Sequence, residues 1–258
     1  MSGAGALDFF CREAHRLGYV ARSAFKLIQI QHKYKLITPK STILDLGCAP
    51  GAWLQVACQN LGPVKNGGAV LGIDLKKIQV PSRYCDERVQ SMCADVMSLP
   101  KHEIMSLSPQ EKGFSLIMSD MCPPVSGITI KDATLSLELA TRALDIAVGK
   151  ASVHLGRQNL PPCPRVDADS DDLLQTNGHL LIKLLESEDL KGPSNLHMSE
   201  KGVDSSTLLW RYVTHLSLEL GGICKQLFRK VLWHRPKATR SSSREIYLIC
   251  QSHRKEFE

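Results

Sequence analysis

A chain of 258 residues with 43% hydrophobic and 22% charged side chains has the make-up of a globular protein that can bury a full core, as one large domain or two small ones. Nine cysteines without a C-x-x-C pair, an odd count, give no sign of a zinc or disulfide framework and favour a reducing, intracellular compartment; no apolar run reaches the roughly 18 residues that span a bilayer. The net charge of +6 says little alone, but it is unevenly spread: seven basic residues against one acid lie between Cys11 and Lys40, and seven more with no acid between Gly221 and Arg244. Such segments are either solvated faces or a phosphate-backbone surface, and two of them favour the second reading.

The first ten residues lack the basic and apolar blocks of a secretory signal. From about Leu7 to Gln31 a helix is expected, with Ala21, Ala24, Phe25 and Ile28 on one stripe. Lys26 sits off that stripe, where a lysine is ordinarily solvated. The apolar run Thr42-Ile43-Leu44 then leads into D-L-G-C-A-P-G-A-W, Asp45 to Trp53, and a helical pattern follows to about Leu61. Strand, glycine-bearing turn and helix is an arrangement that binds adenosine cofactors. Gly47 and Gly51 allow a tight turn and close approach of a ligand, Pro50 suits the first turn of the helix, and the local N–H groups are expected to form a polar nest. The spacing is G-x-x-x-G rather than the dinucleotide G-x-G-x-x-G, and a plain turn needs glycine too.

The second strand, Ala69 to Ile73, ends at Asp74. An acid about 20 residues past the glycine turn can bind both ribose hydroxyls, which tips the turn toward a cofactor site. A third strand, Val89 to Cys93, is followed by Asp95, either an acceptor for an adenine amino group or a loop aspartate. A fourth, Phe114 to Ser119, is stopped by the prolines after Asp120, so this carboxylate lies at a strand end where open α/β sheets bind ligands. Thr134 to Val148 is amphipathic. The prolines and acids of about 149–172 are read as a surface insertion. Asn177-Gly178 turns into a fifth strand, His179 to Leu185. Lys183 lies in its middle, where burying an unpaired lysine is costly; it faces either solvent or a site, and a site is favoured. A polar loop after Glu186 leads to a helix, Ser205 to Leu218. Gln226 to His234 and Glu245 to Gln251 form a final antiparallel pair. Alone, Glu245 carries no signal.

Seven strands alternating with helices until a final hairpin give a doubly wound, mostly parallel α/β sheet in a single domain. R-S-A-F-K-L, D-L-G-C-A-P-G-A-W, S-D-M-C-P-P, L-L-I-K-L and S-R-E-I-Y-L occur in that order. Together they resemble the motifs of the FtsJ/RrmJ-type RNA ribose-2′-O-methyltransferases, within the class I S-adenosylmethionine-dependent enzymes. Carried over motif by motif, the resemblance implies a catalytic tetrad of Lys26, Asp120, Lys183 and Glu245. It implies cofactor contacts at Gly47, Pro50, Gly51, Trp53, Asp74, Asp95 and Asp120. S-adenosylmethionine is then the cofactor, with no metal, and the acceptor is RNA: by resemblance a uridine of large-subunit ribosomal RNA. The alternatives are a tRNA acceptor in the same family or a non-catalytic RNA-binding module. A nicotinamide-dependent dehydrogenase shares the sheet but leaves Lys26, Lys183 and Glu245 without a role. Ala52 stands where a second glycine is usual, as in mitochondrial-type members, which favours an organelle over cytoplasm or nucleus. Pro124 replaces a position that is commonly polar. A monomer that does not engage membranes is expected.

Overall fold

The structure, a computed structural model, describes residues 9–149, 172–186 and 205–254. Apart from its end residues, the expected insertion at 149–172 lies outside the described residues, as does the polar loop after Glu186. Among the described residues no helix is long and apolar enough to cross a membrane.

The chain opens with α1 (Phe9–Leu17) and α2 (Ala24–Tyr34), not with one continuous helix. α1 ends because the Gly18 and Tyr19 amides fold back onto the His15 and Ala14 carbonyls, a paired cap that stops the helix. α2 then starts afresh and buries Ala24, Leu27, Ile30 and Gln31, with Lys26 beside them rather than in solvent. The regular α/β pattern follows: β1 (Thr42–Leu46), α3 (Ala52–Leu61), β2 (Ala69–Asp74), β3 (Val89–Cys93), α4 (Lys101–Ser106), β4 (Phe114–Ser119) and α5 (Thr129–Val148). After β5 (Leu174–Leu185) come α6 (Ser205–Leu227), β6 (Phe228–His234) and β7 (Glu245–His253).

These strands form a seven-stranded sheet in the order β3-β2-β1-β4-β5-β7-β6. β1 pairs in parallel with both β2 and β4, whereas β7 runs antiparallel between β5 and β6. The expected architecture is therefore observed, with three boundaries moved. α6 runs through the Gly221-Gly222 pair, because Leu216, Leu220, Ile223, Cys224 and Leu227 keep a helical stripe buried; Gln226 and Leu227 are helix, not strand. β5 begins at Leu174, and the expected Asn177-Gly178 turn is a bulge inside it: Leu174 pairs with Phe114, but His179 pairs with Leu116. α5 begins at Thr129, a turn and more before the apolar stripe that marks it.

Each sheet face is covered. On one face Leu44, Leu46, Ile117, Ile182 and Leu248 pack with α4, α5 and α6; on the other, Ile43, Leu116, Met118, Leu181, Tyr247 and Ile249 pack with α2 and α3. Strand alternation then assigns the polar positions. Asp45, Asp74, Lys183 and Glu245 share parity with the α2/α3 face. Asp120, just past β4, continues that face. All lie at the strand ends flanking β1 and β4, where the order of connection reverses and α/β sheets place their ligands.

Candidate active site

Four ionisable side chains meet at these strand ends. Lys26 Nζ on α2 lies 2.5 Å from Glu245 Oε2 at the start of β7. Lys183 Nζ on β5 lies 3.0 Å from Asp120 Oδ1 and 3.9 Å from Glu245 Oε1, and it donates to the Asp120 main-chain carbonyl at 2.5 Å. The antiparallel register sets this arrangement. Leu185 pairs with Glu245 and Lys183 with Tyr247, so the lysine and the glutamate are diagonal neighbours on one face. The four residues expected from sequence to act together are brought together, in a chain of alternating charge.

Lys183 is 4% exposed. Burial opposes its charge, but Asp120, Cys122 and Glu245 outweigh that effect and hold its pKa above the ordinary lysine value. It is therefore a cation, poised to hold an oxygen rather than to remove a proton. Tyr247 supplies a contact that sequence reasoning passed over. Its fully buried ring lies opposite Lys183 and its hydroxyl donates to Asp120 Oδ1 at 2.9 Å. Burial first, then Asp120 and Glu245, raise its pKa well above the usual phenol value, so it remains a donor. A tyrosine in an apolar strand reads as core; only the strand register shows what its hydroxyl meets. Cys122, exposed at the mouth, feels all four charges of the cluster, and burial of its sulfur raises the thiol pKa.

The glycine turn beside this cluster is built for close approach. A Cβ on Gly47 would sit 2.9 Å from the Met121 backbone, and Gly51, at φ +106°, would place one 2.8 Å from Pro81. Two expectations are corrected here. Pro50 is not in the first helical turn: Gly51 is the N-cap of α3, and Pro50 precedes it on a cis peptide bond. Nor do the turn's N–H groups form an open nest. Gly47 and Cys48 donate to the Ile73 carbonyl, Gly51 to Cys48, and Ala49 to Asp74 Oδ2 at 2.9 Å.

Asp74 also accepts from the Lys76 amide, so it ties the end of β2 to the glycine turn while each oxygen keeps a lone pair for a ligand. Asp95 is exposed and accepts from the Met97 amide through one carboxylate oxygen. Trp53 is 3% exposed. Its indole N–H donates to the Ser23 carbonyl at 3.0 Å and its ring lies against Tyr247, so it braces the start of α2, and hence Lys26, against the turn. Gln55, also buried, accepts from Val20 and donates to the Gly18 and Arg83 carbonyls. Neither role has a signature in the sequence, where a helical glutamine is solvated by default. Asp45, at the end of β1, is wholly buried and neither carboxylate oxygen has a hydrogen-bond partner.

A sheet of this order, with a glycine turn and a lysine–acid cluster at its carboxyl ends, defines an α/β group-transfer enzyme of the methyltransferase type. A sequence model of the FtsJ-like methyltransferases matches residues 19–202, and the chain belongs to that family. It is 30% identical to the Ribosomal RNA large subunit methyltransferase E of Desulfosudis oleivorans, over 75% of this chain and 78% of that protein. It is 30% identical to the protein of the same name from Syntrophobacter fumaroxidans, over 94% of this chain and 93% of that one. The fold also matches a solved Plasmodium falciparum structure described as a ribosomal RNA methyltransferase, with a TM-score of 0.58, 23% identity, and coverage of 91% of this chain and 98% of that chain.

Proposed function

We propose that this chain methylates the 2′-hydroxyl of a ribose in large-subunit ribosomal RNA, with S-adenosylmethionine as donor. The observation that carries the reading is the Lys26–Glu245–Lys183–Asp120 chain beside the glycine turn, with both lysines buried and both acids half-buried. The residues fit the donor. Gly47 and Gly51 let Met121 and Pro81 pack directly on the turn, Asp74 offers carboxylate lone pairs for ribose hydroxyls at the end of β2, and the buried, orphaned acid Asp45 suits a positive charge held nearby. Asp95 would meet the adenine amino group, while Pro50 and Trp53 shape the turn. When bound, the sulfonium supplies an electrophilic methyl whose leaving group its own charge has already activated.

The chain's own task is alignment and charge control. Lys183, held cationic by Asp120 and Glu245, donates to the ribose oxygen and stabilises the negative charge it develops during attack. The hydroxyl proton leaves late, to solvent, as the methyl bond forms and the bond to sulfur breaks. Tyr247 and the Lys183 ammonium both bind Asp120, fixing the carboxylate that fixes the lysine. Lys26 neutralises Glu245, which would otherwise draw Lys183 away from Asp120. The 2′-hydroxyl makes RNA the acceptor, since DNA lacks it.

The test is transfer of labelled methyl from S-adenosylmethionine to ribosomal particles, ribosomal RNA and tRNA, with nuclease mapping of the ribose. Lys183→Ala is expected to lose transfer by about 10³-fold, in the range of a positioned catalytic group, while still binding the donor. Label on tRNA alone would move the acceptor, and an active Lys183→Ala protein would sink the assignment.

A further inference from the structure

Asp45 takes no step in the alignment or charge control just described, yet it is the most unusual group near the site. Its carboxyl is fully buried and neither oxygen has a partner. A buried charge without a counter-charge is costly, so a carboxyl in this position holds its proton or finds a cation. β1 is the strand between β2 and β4, and Asp45 pairs with Gly72 on one side and Met118 on the other. Gly72 contributes no side chain there, and Cys48 occupies the space beside it. The ionisable groups facing Asp45 are Asp74 at the end of β2, Asp120 after β4 and the Cys48 thiol. None is a cation. The nearby cations are already engaged, Lys183 with Asp120 and Lys26 with Glu245.

This position has a chemical meaning that rests on the donor reading above. Were the donor's ribose held at Asp74 on β2 and the acceptor hydroxyl at Lys183 on β5, its sulfur would lie between those strands, across the ends of β1 and β4, and Asp45 stands near the end of β1. We propose that Asp45 senses the charge on that sulfur. Its carboxyl is neutral without the donor, ionises and releases one proton to solvent as the sulfonium binds, and takes a proton back when methyl transfer leaves a neutral thioether. The balance is one carboxylic acid and one cation going to a carboxylate–cation pair and a free proton. Asp45 is thus a positioning residue that favours donor over spent product. Burial, then Asp120 and Asp74, raise its pKa well above the ordinary aspartate value, in keeping with a neutral resting form.

The test is titration calorimetry of the full chain, without RNA, at pH 7 in phosphate and in Tris, whose ionisation heats differ. S-adenosylmethionine is expected to release about one proton per site, and S-adenosylhomocysteine far less. In Asp45→Asn, nearly the same shape, the heat of donor binding should become independent of buffer, and donor affinity should fall about tenfold relative to product. Binding of S-adenosylhomocysteine by the variant shows that it is folded. Buffer-independent donor heat in the unaltered protein, equal proton release with both ligands, or undiminished release in Asp45→Asn would each overturn the proposal while leaving the donor reading intact. Absence of binding by either sulfur compound would overturn the donor reading, and this inference with it.

Discussion

Lys183 and Tyr247 oppose each other across the β5–β7 ladder and converge on a single carboxylate. Removing only the hydroxyl, in Tyr247→Phe, leaves the ring packing in place and deletes one donor to Asp120. A hydrogen bond to a charged acceptor contributes about 2 kcal/mol. The expected outcome is a loss of about that size in chemical denaturation and a roughly tenfold lower kcat at unchanged KM; unchanged kcat would show that Asp120 is held by other means. Asp45 yields a prediction with a definite sign. Its folded-state pKa is raised, so the folded chain binds more protons than the unfolded one above the unfolded value. Stability should therefore fall as pH rises from about 4, by about 1.4 kcal/mol per unit until the folded carboxyl ionises. Urea midpoints at pH 5, 6 and 7 should decline relative to those of Asp45→Asn; parallel profiles would refute the reading. At this scale the site was partly legible. Lys183 stood out because an apolar strand has no use for a lysine. Lys26 and Glu245 were legible only through their motifs, since one lies off a helical stripe and the other begins a strand. Tyr247 and Asp45 escaped notice because burial, the property that distinguishes them, belongs to the folded chain.

The elements were legible wherever an apolar period ran uninterrupted, as in the four parallel strands from β1 through β4. They were misjudged where a glycine had two meanings. Gly18 ends a helix that the surrounding pattern would continue, whereas Gly221 and Gly222 sit inside a helix that they would ordinarily end. The difference is tertiary: the α6 stripe remains buried past the glycines, while after Gly18 the chain is needed to dock on α3. Gln55 fastens that connection by bonding Val20, Gly18 and Arg83. Gln55→Met keeps the length and removes all three bonds, leaving backbone groups unsatisfied at about 1 kcal/mol or more each. The expected loss is about 3 kcal/mol, together with faster hydrogen exchange at the Val20 amide and little change in β5. A Val20 amide that stays protected would show that the connector needs no pin. Because this connector precedes Lys26, the variant should also transfer methyl more slowly than its stability loss alone explains.

For the whole molecule, the fold brings the loop of the second basic segment onto the first. Arg22 donates to the Ala238 carbonyl at 2.6 Å and the Ala238 amide donates to Gln29 at 3.0 Å, so the loop between β6 and β7 docks on α2 beside the lysine–acid cluster. Sequence alone counts their charges as equals, and the structure does not. Arg244 is committed to Asp132, Arg235 to Glu186 and Arg16 to Glu13. Arg244 also donates to the Thr129 and Glu186 carbonyls, clamping the start of β7 where Glu245 must sit. Lys33, Lys35, Lys40, Arg229, Lys230 and Lys237 are exposed on the same two segments. If about five of them meet phosphates, the logarithm of RNA affinity should fall with the logarithm of salt at a slope of about −4. Lys35→Ala and Lys237→Ala should each make that slope shallower by about one while leaving donor binding and stability unchanged. Arg244→Ala should do the reverse: the slope holds, but the chain is destabilised and methyl transfer falls because Glu245 is no longer fixed. Filter binding across a salt series, set beside thermal denaturation of the same three variants, separates the two roles. A slope that Arg244→Ala reduces as much as Lys237→Ala does would mean that RNA displaces Asp132 from its arginine, and that the clamp opens when the substrate docks.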